Sequence, residues 1–242
     1  MIFDVGSLLT LYMSLTKTNP MARLNLTSIN WRDILKELFI VVLGILIAFS
    51  LNNWAQNRSN HALRLDYLNS LQADLAADTL EMTINLNTIR KNLAFQQSLM
   101  PHFYRELPGR DTIAVGFFKR SIFPHFNSQD ATFITLTNTG DLKLIPSFEL
   151  KKTVLDHYDK YDLLYQENLR AESFVRDYVA KYMMTEMDQG VFFRGSAAGV
   201  LQDFKFRNMV FSVYGILQIE EKAYTEALER SRALMKRLAA AR

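Results

Sequence analysis

Four histidines, a cluster of aspartates and a stripe of tyrosines are the groups with chemistry to offer in this chain of 242 residues. His61, His102, His125 and His157 stand at no metal-ligand spacing on a helix, and no H-E-x-x-H occurs. The stretch "LDHYDKYD", residues 155–162, gathers Asp156, His157 and Asp159, residue types that bind cations. On a helix, however, Asp156 and His157 project about 100° apart. Lys160 stands four positions from Asp156, so the stretch reads as a solvated, ion-paired face. Asp74, Asp78 and Glu81 fall at i, i+4 and i+7 and read the same way, as a solvated acidic strip. Val154, Tyr158, Tyr161 and Tyr165 share one helix face. Core packing with hydroxyls at the rim accounts for such a stripe. The functional alternative is a partner groove, which makes Tyr158, Tyr161 and Tyr165 candidate partner-surface residues. The C-terminal stretch carries Arg230, Arg232, Lys236, Arg237 and Arg242 against Glu229. Cations suit the negative end of a helix dipole without any partner. Arg232, Lys236 and Arg237 are the candidates if that end meets anionic lipid or an acidic protein.

No phosphate loop, dinucleotide fingerprint or G-x-S-x-G elbow is present. The absence of cysteine removes disulfides, thiolate zinc sites, iron–sulfur clusters and thiol nucleophiles. A net charge of +3 is too small to argue for nucleic acid. The expectation is therefore a protein without enzyme activity, cofactor, metal site or nucleic-acid partner.

The elements that would carry these residues are helices. With 9 Gly and 5 Pro the chain has too few turn residues for an all-β fold. From residue 58, Leu65, Leu68, Leu75, Met82, Leu86, Ile89, Leu93 and Met100 fall on a heptad lattice interrupted by Gln72, Thr79 and Gln96. That pattern fits a coiled-coil dimer or one helix of an intrachain bundle. The bundle is preferred because later helices offer similar stripes. "ELPGRD" (106–111) is a turn, and two shorter apolar pieces follow around 112–122 and 129–139, parted by Pro124. Gly140 reads as the left-handed residue that closes a helix, and Ser147 as the N-cap of a second long helix reaching about Met187. After a glycine-containing break at 188–199, a last helix spans about 201–240. Its stripe is Val210, Val213, Leu217, Tyr224, Ala227, Leu234 and Leu238, with Glu220 interrupting. The fold class is all-α: an up-and-down bundle of long helices behind a single N-terminal transmembrane helix.

That transmembrane helix is read from residues 38–57, twenty positions without a formal charge, roughly 30 Å as a helix and the depth of a bilayer core. Trp31 and Trp54 bracket the run at the spacing of two interfacial belts, and Lys36 and Arg58 stand where long cations reach headgroups. Asn52 and Asn53 end the run at the polar interface. Ala48-Phe49-Ser50 has the small-x-small form of a signal cleavage site; an uncleaved anchor is the reading adopted. Lys17, Arg23, Arg32 and Lys36 precede the run, and only Arg58 and Arg64 follow closely. By the positive-inside rule the N-terminus lies in the cytoplasm and the large C-terminal part outside. The domains are then a cytoplasmic segment 1–33, a transmembrane helix 34–57 and a periplasmic bundle 58–242. "MARLNL" from Met21 has the form of a natural start, which makes residues 1–20 an over-extended N-terminus or a short interfacial helix.

Two segments carry a resemblance. "KELFIVVLGILIAFSLNNWAQNR" (36–58) is similar to the span of an uncharacterised family of bacterial single-pass membrane proteins, through Gly44-Ile45-Leu46-Ile47-Ala48 and Asn52-Asn53-Trp54. The family's Gly-Glu lead-in stands here as Lys36-Glu37. "TLTNTGDLKLIPSFEL" (135–150) resembles a second family segment through Gly140, Leu142, Leu144, Ile145 and Leu150. The resemblance implies a protein of the bacterial inner membrane with a helical extramembrane domain, and no activity. On these grounds the expected role is a scaffold or accessory subunit of a membrane or envelope complex. Its expected partners are the bilayer and either other proteins or a second copy of itself. A ligand-sensing bundle on a membrane anchor is the alternative.

Overall fold

The computed structural model describes residues 30–194 and 198–242. The expectations for residues 1–29, including the start at Met21, lie outside the described residues. Among those described there is no strand, and the all-α expectation holds. The chain divides after Gln56 into two compact units.

In the first unit, helix α1 (Trp31–Leu99) begins, with Asp33 in its first turn as the helix dipole favours. Every residue of α1 up to Gln56 is exposed. This includes the apolar series from Leu38 to Leu51. The helix is long and apolar enough to cross a membrane, with a mean hydropathy of 2.5 over its most apolar window.

In the second unit α1 has the opposite character. Its buried positions include Leu68, Leu75, Met82, Ile89 and Gln96, seven apart, and Leu71, Asp78, Asn85, Asn92 and Leu99, also seven apart. These two series are the a and d positions of a heptad. The register anticipated from sequence shares the first series and takes Leu65, Gln72, Thr79, Leu86, Leu93 and Met100 for the second; Leu86 and Leu93 are buried, and the other four only partly so. The stripe packs within the chain, as a bundle helix does.

Beyond a 3₁₀ turn at Met100–Phe103 comes α2 (Arg110–Arg120), entered through Gly109 at φ 79°. Residues 121–130 have no regular structure. Pro124 at their centre lacks an N–H and biases Phe123 away from helix. Then follow α3 (Ala131–Asn138), Gly140 at φ 73° and a 3₁₀ turn at Asp141–Leu144. This fold-back buries Ile145. Helix α4 (Phe148–Phe174) starts as anticipated, with Leu150 N–H donating to the Ser147 hydroxyl at 3.1 Å. It continues through a π-helical turn (Val175–Ala180) into α5 (Lys181–Thr185). The π turn advances the register by one residue, so Val179 is buried while Tyr178 is exposed and stacks on Phe174. A short α6 (Gln189–Phe193) lies in the expected break, and after a 3₁₀ turn at Ala198–Gln202 comes α7 (Phe204–Ala240). Asp203 caps α7 by accepting from Lys205 N–H at 2.8 Å.

Hydrogen bonds set the directions. Gln72 donates to the Met235 carbonyl, and Gln97 to the Tyr214 hydroxyl, so α1 and α7 are antiparallel. Arg237 bonds Thr153, while Tyr182 bonds Asp203, so α4 and α7 are antiparallel as well. The residues between α1 and α4 run back down, because His125 meets Asn85 and Gln129 meets Asp78. The bundle is up-down-up-down, and an extended strap takes the place of its second long helix.

Candidate functional site

Two groups of polar side chains lie inside the second unit. The larger one surrounds the strap. The strap is partly exposed, with Ser121 and Phe126 buried; lacking a strand partner, its inward backbone groups need satisfying, and three helices supply them. From α1, Asp78 accepts from Gln129 N–H at 2.8 Å, Glu81 accepts from Asn127 N–H at 3.3 Å and Asn85 donates to the His125 carbonyl at 3.1 Å. From α4, Asn168 Oδ1 accepts from Phe126 N–H at 3.2 Å. From α7, Tyr224 donates to Asn168 Oδ1 at 3.1 Å and reaches the Pro124 carbonyl at 3.5 Å. Asn168 Nδ2 in turn donates to Glu220 Oε1 at 3.0 Å.

This seam corrects the solvated acidic strip. Asp78 is fully buried and points at the strap, not at water. Glu220 is an inward-facing partner of Asn168 and only 1% exposed. Burial raises both carboxyls, Asp78 to about 6 and Glu220 to about 8, against the opposing hydrogen bonds from Gln129 and Asn168. Each keeps one oxygen without a hydrogen bond from the protein.

The smaller group lies between α4 and α7. Tyr158 and Tyr161 are buried, so they form core and present no surface to a partner; Tyr165 alone of the three is exposed. Tyr161 shares a 2.9 Å hydrogen bond with Ser231 of α7, and Tyr158 stacks on Phe133 with ring centres 4.2 Å apart. His157 departs from the solvated reading of 155–162. Its ring is 4% exposed, lies 4.3 Å from that of Tyr161, and has no hydrogen-bond partner on either nitrogen. Burial first and Arg230 second push its pKa down to about 4, so it is neutral at pH 7. Above it opens a cleft of about 480 Å³ whose lining includes Asp156, Asp159, Lys160, Arg230 and Arg237. Arg230 meets Glu226 at 3.5 Å, and Arg237 donates to Thr153 Oγ1 at 2.8 Å. Asp156, Asp159 and Lys160 are exposed as anticipated, but the ion pair between Asp156 and Lys160 does not form among the described residues.

The remaining candidates scatter. Arg232 and Lys236 are exposed on α7 and do not line the cleft, whereas Arg237 does. Trp31, Lys36, Asn52, Asn53, Trp54 and Arg58 all lie exposed on α1. Lys36 also pairs with Asp33 at 3.1 Å. No group of three or more His, Asp or Glu side chains is arranged for a metal among the described residues.

A family of unknown function, DUF6090, matches residues 37–214, and the chain belongs to it. The match takes in the apolar part of α1, the strap, the π turn and the start of α7. It agrees with the resemblance to an uncharacterised family. No match is found among curated proteins or among solved structures.

Proposed function

We propose that this protein is a single-pass membrane protein whose helical domain acts as a non-enzymatic scaffold or accessory subunit of a larger membrane or envelope complex. The observation that carries the reading is the stretch Leu38–Leu51, helical, almost wholly apolar and exposed throughout. Leaving such side chains in water forgoes about 1.5–3 kcal/mol for each large one. A bilayer removes that cost, and a helix satisfies its own backbone there. Trp31 and Trp54 would lie at the two interfaces, with Lys36, Asn52, Asn53 and Arg58 at headgroup depth. The excess of basic residues before the segment supports a bacterial inner-membrane protein with residues 1–33 cytoplasmic, 34–57 spanning and 58–242 periplasmic.

The buried polar residues support the scaffold role. Asp78, Asn85, Asn168 and Tyr224 are occupied in holding the strap, which is structural work. Purification of a C-terminally tagged copy from its own membranes in mild detergent, with mass spectrometry, is the test. A reproducible stoichiometric partner is expected, and a protein recovered alone under all conditions overturns the accessory role. Because the chain has no cysteine, single substitutions such as Lys36→Cys and Ser59→Cys would report sidedness with a membrane-impermeant maleimide. Labelling of the second only, in intact spheroplasts, is expected. The sensing alternative draws its support from the α4–α7 cleft.

A further inference from the structure

We propose that the cleft between α4 and α7 binds an oxyanion of the phosphate type, held by His157 at its floor and by Arg230 and Arg237 at its two ends. Neither the cleft nor its residues depend on the membrane reading.

His157 is the first reason. A neutral imidazole carries one N–H donor and one acceptor nitrogen. Here both are buried and unpartnered in a ring that lines the cleft. An unmatched buried donor is costly; both nitrogens are covered by the protein, and a turn of the ring on binding brings its N–H to the oxyanion. The second reason is the placement of the cations. Because α4 and α7 are antiparallel, Arg237 lies level with Thr153, and Ser231, next to Arg230, lies level with Tyr161. His157 sits one helical turn, roughly 6 Å, from each level. A group bound at its ring is therefore flanked by a guanidinium on either side. Lys160 adds a third cation at the rim.

Neither guanidinium is fully engaged. Arg230 has a 3.5 Å contact with an exposed carboxylate on its own helix, and Arg237 uses one donor on Thr153. Arginine has five donors in a planar fork that fits phosphate oxygens in pairs. The carboxylates Asp156 and Asp159 on the same lip leave a single excess positive charge in the cleft. That balance favours a singly charged anion and disfavours a metal cation. The anion removes the disadvantage that Arg230 imposes on a charged imidazole, so binding strengthens as His157 takes up a proton.

A free phosphate and the phosphate of an anionic lipid offer the same chemistry. The full chain in neutral detergent, titrated with inorganic phosphate, distinguishes them from one side. The full chain in phosphatidylcholine bilayers, with and without phosphatidic acid, distinguishes them from the other. The readout is the ring resonances of His157 by NMR, with calorimetry for affinity. Saturable movement of those resonances by inorganic phosphate identifies a soluble ligand. Movement by phosphatidic acid bilayers alone identifies a headgroup. In either case Arg230→Gln and Arg237→Gln each weaken binding by roughly tenfold, while leaving the thermal melt unchanged because both side chains lie at the rim. His157→Phe abolishes the interaction. Resonances unmoved by both ligands overturn the proposal, as does undiminished binding in the Arg230→Gln, Arg237→Gln double variant.

Discussion

Helix α1 contains two stretches that invert the usual relation between hydropathy and burial. Leu38–Leu51 is almost wholly apolar and wholly exposed. Leu68–Leu99 carries Asp78, Asn85, Asn92 and Gln96 on its inward face and buries all of them. Composition alone would assign the core to the first stretch. Burial inside a protein depends on a partner surface, and the first stretch finds none among the described residues. The second finds α4, α7 and the strap. Apolar residues there supply the free energy of packing, and polar ones decide which backbone may lie against them. A buried amide accepts only a neighbour that returns its hydrogen bond, so the polar d positions fix the path of the strap.

That contrast can be broken or sharpened by experiment. The largest effect is expected from removing residues 1–56. The remaining chain should stay in the supernatant after ultracentrifugation with its helical circular dichroism intact, whereas the full chain should sediment wholly with membranes. A truncated chain still in the pellet would erase the distinction between the two stretches. Next comes Asn168→Ala, which strips partners from Phe126 N–H, Glu220 and Tyr224 at once. A cost of about 3–5 kcal/mol is expected, read as a fall in Tm of roughly 10 °C.

Glu220→Gln tests the same seam through pH. The folded-state pKa of Glu220 is raised from 4.5 to about 8. The stability contributed by its neutral form is therefore complete below about pH 4.5 and lost as pH rises through about 8. The natural chain should lose Tm between pH 6 and 8, while the variant should be flatter by on the order of 2 kcal/mol. Asp78 acts in the same direction at lower pH, between 3.8 and about 6, outside that window. The smallest effect belongs to His157→Phe. Replacing an unpaired buried ring by an apolar one of similar shape should leave stability within about 1 kcal/mol or raise it, seen as an unchanged or higher melt. A large loss would mean that His157 has a partner inside the fold.

The helix pattern was legible because it rests on local rules. Ser147 as a cap, Gly140 as a left-handed stop and the apolar stripe of α7 each depend on neighbours a few residues away. The seam was harder to read, because Asp78, Asn85 and Asn168 look like solvent residues until their partners are known. One signal was available. Leu71, Asp78, Asn85, Asn92 and Leu99 recur every seven residues, and a polar run with that period between two leucines marks an inward face. His157 gave no such signal. Its neighbours Asp156, Asp159 and Lys160 are exposed, and only the approach of Arg230 and Arg237 from α7 makes it the floor of a cleft. Tyr158 and Tyr161 left two readings open, and packing against Phe133 and Ser231 decides for the core.

The strap also has a consequence in time. Its carbonyl at Pro124 is met by a hydroxyl 100 residues further along the chain. At the ~5–20 residues per second of protein synthesis, residues 121–130 leave the ribosome ~5–20 s before Tyr224 does. Throughout that interval α1 can form, but the groove that seats the strap lacks its last wall. The middle of the chain is thus completed by its end, and a nascent copy stopped short of α7 would hold residues 121–130 open to whatever chaperone or protease reaches them first.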